Sequence, residues 1–406
     1  MRVHLKQALA AVAAGTAMTA LGPAGAAQAG TLAPRSRGAA GAASVFSSPA
    51  PGTRRPGQVT VYVGSLFGSS VTPIGTASNV AGSPIATGKS PVYIAITPNG
   101  RTAYVANQQS GTVVPIATAT GVAGQAIPVG QQPEYLAITP NGRTAYVSNI
   151  GSATVTPIAT ASNTAGKPIP VGQGPYAIAV TPDGRTAYVA DDISGTVTPI
   201  TTASNTAGKP IPVGSRPESI AITPNGRTVL VVNSGSGTVT PIDTATDTAG
   251  KPITVGSDPV SIAITGNGKT AYVTHATTSG GTVTPIRIAS GTVLRAITTG
   301  PGSGLIVIAP DGRTAYVTGG PASPDSPVTV IPIATATSTA QKPITIGSGL
   351  APAAIAITPN GRTVYVAAAE LGNHLAGSVT PIQVATGTVG PAIGVGPFPR
   401  GIAITP

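Results

Sequence analysis

The stretch A-I-T-P-N-G-R-T-A-Y-V-A-N at 95–107 returns along the chain with small changes, and its recurrence decides the fold. Its turn proline falls at Pro98, Pro140, Pro182, Pro224, Pro310, Pro359 and Pro406, with Gly266 in its place once. The steps are 42 residues four times, then 44, 49 and 47. A length of 406 residues would ordinarily suggest two or three domains. A period in the low forties overrides that prior, because it is the length of one four-stranded propeller blade.

Each period holds four short β-prone runs, shown by the unit at 176–213. Run A is Y-A-I-A-V-T (176–181), and the turn Pro182-Asp183-Gly184 follows. Run B is T-A-Y-V-A (186–190), and a loop through Asp191, Asp192, Ser194 and Gly195 leads to run C, T-V-T-P-I (196–200). The stretch S-N-T-A-G-K (204–209) leads to run D, I-P-V (211–213). In T-P-N-G the proline presets φ, Asn or Asp suits the second corner and Gly supplies positive φ, so runs A and B form a tight hairpin. No period of 3.6 is visible, which argues against helices. Run C carries a proline in nearly every copy, as at Pro115, Pro157 and Pro199. Proline cannot donate to a ladder, so run C is expected to be bulged or weakly paired to one neighbour there.

Composition agrees with a strand-rich repeat. Apolar residues make up 41% of the chain, charged residues 8% and aromatics 3%, with no Trp, so Val, Ile, Ala and a few Tyr must build the core. The 53 Gly and 41 Pro would approach a disordered composition if scattered, but here they recur as turn punctuation. The absence of Cys excludes disulfides, thiolate nucleophiles, Cys-ligated zinc and iron–sulfur clusters.

The units resemble those of the YVTN-repeat β-propellers, also called surface-layer or YncE-like propellers. The matching words are 95–107, S-G-T-V-T-P-I (194–200) and I-P-V-G (211–214), and the similarity spans roughly 59–406. The resemblance implies a propeller, usually of seven blades, and says little of function, since some propeller relatives are lactonases or lyases. The proline in run C departs from the valine common there in that family.

The fold class expected is therefore all-β, a propeller of four-stranded antiparallel blades. The chain begins its repeats at run B (V-T-V-Y-V, 59–63) and leaves at run A (R-G-I-A-I-T-P, 400–406). If that last run joins the first B, C and D runs, an eighth blade closes the ring and no sheet edge is left exposed. Eight blades are favoured, and seven with a displaced terminal segment is the alternative. Before the propeller (58–406), Arg2, His4 and Lys6 precede an apolar run from Ala8 to Leu21, and Ala27-Gln28-Ala29 follows. That is the layout of a secretory leader over 1–29 cleaved after Ala29, the apolar run being shorter than the roughly 20 residues of a membrane span. Residues 30–57 read as a flexible linker with Arg35, Arg37, Arg54 and Arg55. The protein is expected to be secreted or at the cell surface, a monomer, without a membrane span.

Strand alternation in a meander puts the A–B and C–D turns on one face and the B–C and D–A loops on the other. The first face is regular and basic, with Arg101, Arg143, Arg185, Arg227, Lys269, Arg313 and Arg362 in its A–B turns and Lys167, Lys209, Lys251 and Lys342 in its C–D turns. It opposes these with Asp183, Asp243, Asp247 and Asp311, and an anionic cell-wall polymer is its candidate partner. The second face is acidic and variable in loop length, which is where sites are usually grafted. Candidate ligand-binding residues there are Gln108, Gln132, Glu134, Asn149, Tyr176, Asp191, Asp192, Arg216, Glu218, Asn233, Asp258, His275, Glu370 and His374. The ligand expected is an unknown protein, peptide or glycan. No catalytic residue, metal site or cofactor is assigned, because no G-x-S-x-G elbow, P-loop, dinucleotide fingerprint or paired-His spacing appears. Nucleic acid is not expected, since no aromatic-studded basic groove is visible. The reading is a non-catalytic binding or scaffold module. The alternatives are an extracellular hydrolase, lactonase or lyase working at the channel mouth, and an envelope protein held by its basic face.

Overall fold

The computed structural model describes residues 59–276, 280–300, 304–320, 326–371 and 376–406. The expected leader and linker, and His374, lie outside them. The described chain folds into eight antiparallel sheets, one per repeat. Blades 2 to 8 span 91–128, 133–170, 175–212, 217–254, 259–298, 306–348 and 350–395. Blade 1 combines 60–86 with the last strand, Pro399–Ile404. That strand pairs with Thr60–Ser65 through Val61↔Ile404 and Tyr62↔Ala403, so the C-terminal A strand joins the N-terminal B, C and D strands. The seven-blade alternative is excluded. Two short 3-10 turns, Ile150–Ser152 and Ile288–Ser290, are the helical elements among the described residues, and no helix is long and apolar enough to cross a membrane.

The repeated turn is a self-contained hydrogen-bonded unit. The Thr97 hydroxyl donates to Asn99 Oδ1 at 2.7 Å and accepts from the Thr102 N–H at 3.1 Å. Asn99 Oδ1 also accepts from the Arg101 N–H at 3.0 Å. Gly100, at φ +70°, donates its N–H to the Thr97 carbonyl at 2.8 Å. Every letter of T-P-N-G-R-T except the arginine side chain is thus consumed in making the turn.

The proline of run C shapes the outer edge of each blade. Strands B and C pair without interruption through Tyr188↔Pro199. Strand C, however, meets two separate two-residue pieces, Thr206–Ala207 and Ile211–Pro212. The Pro199 carbonyl accepts from Gly208 N between those pieces, so the side of Pro199 that lacks an N–H faces the interrupted ladder. The expected weak pairing to one neighbour is what the blade shows. Run D differs from expectation in beginning earlier, since Thr206–Ala207 lies inside the stretch read as a loop.

Both faces of each blade are buried, which is why the strands read as unbroken apolar runs rather than alternating ones. Eight apolar clusters fill the eight blade junctions, including Val61, Val63 and Ile74 of blade 1 against Tyr365, Ala367 and Val379 of blade 8. A buried tyrosine from strand B sends its hydroxyl into the C–D turn of the next blade. Tyr104, Tyr146 and Tyr188 donate to Asn163, Asn205 and Asp247, each at 2.6 Å. The eight A strands contact one another in a closed cycle, so their first residues ring the mouth of the central channel.

Candidate binding site at the channel mouth

In six blades strand A begins after a residue in left-handed backbone, Ser90, Gln132, Gly174, Arg216, Asp258 or Phe398, at φ between +50° and +68°. Its carbonyl accepts from the first N–H of the B–C loop, as in Gln108 N to Ser90 O at 2.8 Å and Ser234 N to Arg216 O at 2.9 Å. The D–A and B–C loops are therefore bonded to each other on one face, as the alternation of strands requires. A proline follows, and then the strand bulges. Pro133 pairs with Asn149 and Tyr135 with Ser148, leaving Glu134 unpaired. The same irregularity places Val92, Glu218, Val260, Ala353 and Arg400. Bulges re-aim side chains, and in every blade but the seventh one sets at least one residue off the ladder at the start of strand A.

Three of those residues are charged: Glu134 and Glu218 are buried, and Arg400 is partly exposed. Glu134 is 3% exposed, and its Oε1 accepts from Arg400 Nη2. Its Oε2 accepts from Gln108 Nε2 at 2.5 Å. Burial pushes the Glu134 carboxyl above its usual range, against the pull of Arg400 and Gln108 in the other direction. Arg400 also bonds to the side chain of Tyr176. One contact set thus joins blade 1, through Arg400, to blades 2, 3 and 4. Glu218 continues it in blade 5. Its Oε1 accepts from Arg216 Nη2 and from the Ser234 hydroxyl, both at 2.8 Å. Its Oε2 is buried without a hydrogen-bond partner among the described residues. Burial raises the Glu218 pKa to about 7. Arg216 lies 3.7 Å from Asp192, whose pKa burial also raises.

Aromatic rings line the same quadrant. Tyr93 and Tyr135 stack with centroids 4.0 Å apart, and Tyr176 follows at 6.1 Å from Tyr135. All three are half-buried, and burial raises their hydroxyl pKa values. Blades 5, 6 and 8 place Ser219, Ser261 and Ala354 where blades 2 and 3 have Tyr93 and Tyr135. The mouth is aromatic and charged on one side and lined with small residues on the other.

Of the residues selected from sequence, the structure brings together Gln108, Glu134, Tyr176, Asp192, Arg216 and Glu218. Gln132 and Asp258 are exposed just before strand A, at the position of Arg216, and Glu370 is exposed at the end of strand B in blade 8. Asn149, Asp191, Asn233 and His275 take a different place. Each is the last residue of a B strand, buried within its own blade. Asn149 and Asn233 donate from Nδ2 to Thr156 and Thr240, each at 2.9 Å. Asp191 Oδ2 accepts from Thr196 and Thr198 at 3.0 and 2.6 Å, and burial raises its pKa to about 6. His275 Nδ1 lies 2.8 Å from the Ser257 carbonyl and Nε2 2.9 Å from the Thr284 hydroxyl. A carbonyl can only accept, so Nδ1 carries the proton and Nε2 accepts. Burial lowers the His275 pKa. These four side chains lock strand B to strand C or to the D–A loop. Sequence reading passed over Tyr93, Tyr135 and Arg400 as candidates. Aligning the repeats on the proline before strand A would have found them, since the next two positions vary most in size and charge there.

On the opposite face Arg101, Arg143, Arg185, Arg227, Lys269, Arg313 and Arg362 are all exposed in their turns. Among the described residues no three His, Asp or Glu side chains group to hold a metal ion. A concavity of about 580 Å³ lies between blades 6 and 7. Its walls, such as Thr299, Pro327 and Gln341, carry no titratable group.

A family model described as "Lactonase, 7-bladed beta-propeller" matches residues 69–210. No curated protein matches the chain. Among solved structures, dihydro-heme d1 dehydrogenase NirN in complex with DHE is similar at a TM-score of 0.71 and 14% identity, over 85% of this chain and 74% of that one. Apo AztD from Citrobacter koseri is similar at 0.63 and 11%, over 86% and 98%. Kuenenia stuttgartiensis hydrazine synthase is similar at 0.58 and 23%, over 73% and 96%. At these identities the likeness is one of fold.

Proposed function

We propose that this chain is a secreted, non-catalytic binding propeller that holds a glycan at its channel mouth, against the wall of Tyr93, Tyr135 and Tyr176. The observation that carries this reading is the use of one bulge position in different blades. Val92, Val260 and Ala353 satisfy the fold there with small apolar side chains, whereas Glu134 and Glu218 place buried charge and Arg400 a partly exposed one. Burying a carboxylate costs several kcal/mol before pairing offsets it, roughly what a neutral residue would save at this position. Charge at positions that the fold does not need to be charged is the mark of a site. Half-buried aromatic faces offer a stacking surface for the apolar face of a sugar ring. Glu134, Gln108 and Arg400 supply the hydrogen-bonding groups that would fix its orientation. Secretion rests on the leader-like residues 1–29.

The test uses the chain's own tyrosines. With no Trp in the sequence, intrinsic emission comes from Tyr alone, and three Tyr lie at the mouth. Titration with soluble glycans, peptidoglycan fragments and peptides should perturb that emission saturably with at least one glycan. Tyr135→Ala should weaken the same binding at least tenfold while the far-ultraviolet spectrum stays unchanged. A protein whose mouth ignores every glycan, or binds one equally well without Tyr135, would refute the reading.

The family match over 69–210 favours a second reading, hydrolysis of a lactone at the same mouth. Glu218 would be its general base, since a carboxyl with a pKa of about 7 is poised to exchange protons near neutrality. Turnover of a lactone that is lost in Glu218→Gln would replace the binding reading with this one.

A further inference from the structure

We propose that the face made by the A–B and C–D turns docks a long, linear, phosphate-bearing polymer, independently of the channel mouth. Strand A is innermost in every blade and strand D outermost, so the A–B turns form an inner ring and the C–D turns an outer one. The inner ring carries a cation in seven successive blades, from Arg101 to Arg362, and six of the seven are arginine. Five of the six exposed guanidinium groups leave from turns fixed by the same Thr and Asn or Asp bonds, and the Arg313 turn keeps the Asp311 bond with Ala309 in place of the Thr.

The acidic residues of this face, Asp183, Asp243, Asp247 and Asp311, are outnumbered by its cations and held in hydrogen bonds, Asp311 by the Arg313 N–H. Asp183 accepts from the Thr181 hydroxyl and the Arg185 N–H, the role that Asn99 plays in blade 2. Asp243 accepts from the Ala245 and Thr246 N–H groups, and Asp247 takes the Tyr188 hydroxyl. Among the described residues one ion pair lies on this face, Arg185–Asp183 at 3.9 Å, with side chains 86% and 56% exposed. Such a pair neutralises little in water. What remains is a ring of evenly repeated cationic donors, six of them forked guanidinium groups. That shape fits a chain that repeats its phosphates and does not fit one small anion. The segment carrying Arg35, Arg37, Arg54 and Arg55 joins the fold at this face, where the Val59 carbonyl accepts from Thr76 N at 3.2 Å. The exposed aromatic Phe67 lies in a B–C loop on the opposite face, and among the described residues this one shows no exposed aromatic to seat in a bilayer.

Fluorescein-labelled long-chain inorganic polyphosphate, followed by anisotropy, is the probe for the full chain. Its affinity should fall on the order of a hundredfold between about 50 and about 200 mM salt. Arg143→Gln, Arg185→Gln and Arg227→Gln combined should weaken binding at least tenfold at the lower salt and flatten the salt dependence. These side chains are exposed, and an unchanged melting temperature would confirm the fold. Tyr135→Ala should bind polyphosphate as the parent does, which separates this face from the mouth. Three results would each overturn the proposal: unchanged binding by the triple variant, loss of binding only when the four arginines before Val59 are replaced by Gln, or tighter binding to phosphatidylglycerol vesicles than to polyphosphate at equal phosphate.

Discussion

The hydroxyl of Tyr365 in blade 8 donates to Asn79 Oδ1 in blade 1 at 2.6 Å, across 286 residues of sequence. Tyr104, Tyr146 and Tyr188 make the same bond at internal junctions over a separation of 59 residues. The junction that closes the ring is therefore built from the same parts as those inside it. Tyr365→Phe should cost about 1 kcal/mol, the net worth of one such bond. Tyr104→Phe should cost the same within about 0.5 kcal/mol. Denaturant titrations of both variants provide the check, and a silent Tyr365→Phe would mean that the closing junction is looser than its siblings.

Arg400 and Glu134 offer a sharper comparison, because the repeat itself supplies their apolar replacements. Glu134→Gln leaves Arg400 without its counter-charge. The loss should be about 2 kcal/mol, below the full cost of an orphaned buried charge because the Arg400 side chain keeps 23% of its exposure. The double change Glu134→Val with Arg400→Val installs what Val92 and Val260 already do in blades 2 and 6. It should recover most of that stability. If the pair serves ligand capture, the double variant will be stable and will have lost glycan binding. If it serves the fold, the double variant will melt lower than Glu134→Gln.

The fold was legible in the sequence for a specific reason. Thr97, Asn99, Gly100 and Arg101 spend all but one side chain on a single local turn, so the turn varies little from blade to blade and its repeat is visible by eye. Strand order, the C-terminal clasp and the two faces follow from counting those turns. The prolines of run C gave away the interrupted outer ladder as well. The site was less legible. Asn149, Asp191, Asn233 and His275 look like loop residues beside a variable loop, but they end a strand whose last side chain turns back onto strand C. Tyr93 and Tyr135 look like core tyrosines by composition, and only the bulge after the strand A proline shows them standing together at the mouth.

Glu218 makes stability depend on pH in a direction opposite to that of a surface salt bridge. Its carboxyl titrates at about 7 in the fold against 4.5 when unperturbed, because burial disfavours the charged form. Between those values the folded state holds more protons than the unfolded one. Stability therefore falls as pH rises through that window, and the full penalty is present above about 7. The melting temperature should drop between about pH 5 and about pH 8, with a contribution from this group of about 2 kcal/mol. Glu218→Gln should flatten that slope. A slope that survives the substitution would show that the carboxyl is not the group responsible.

Asp191 carries the same sign but a different remedy. It occupies the position of Asn107, Asn149 and Asn233, at the end of strand B, fully buried. The amide in those blades donates to strand C threonines, whereas the Asp191 carboxylate must accept from Thr196 and Thr198. Burial lifts its pKa from 3.8 to about 6, so the ionised form weighs on the fold at neutral pH. Asp191→Asn should then stabilise the protein by about 1 kcal/mol or more at pH 8. The gain should shrink below about pH 6 and vanish only below about pH 3, where the aspartate is protonated in both folded and unfolded chains. Melting curves of the two proteins at intervals across that range separate this from a pH-independent packing effect. A constant offset, or a loss of stability at pH 8, would mean that blade 4 needs a carboxylate where its siblings use an amide.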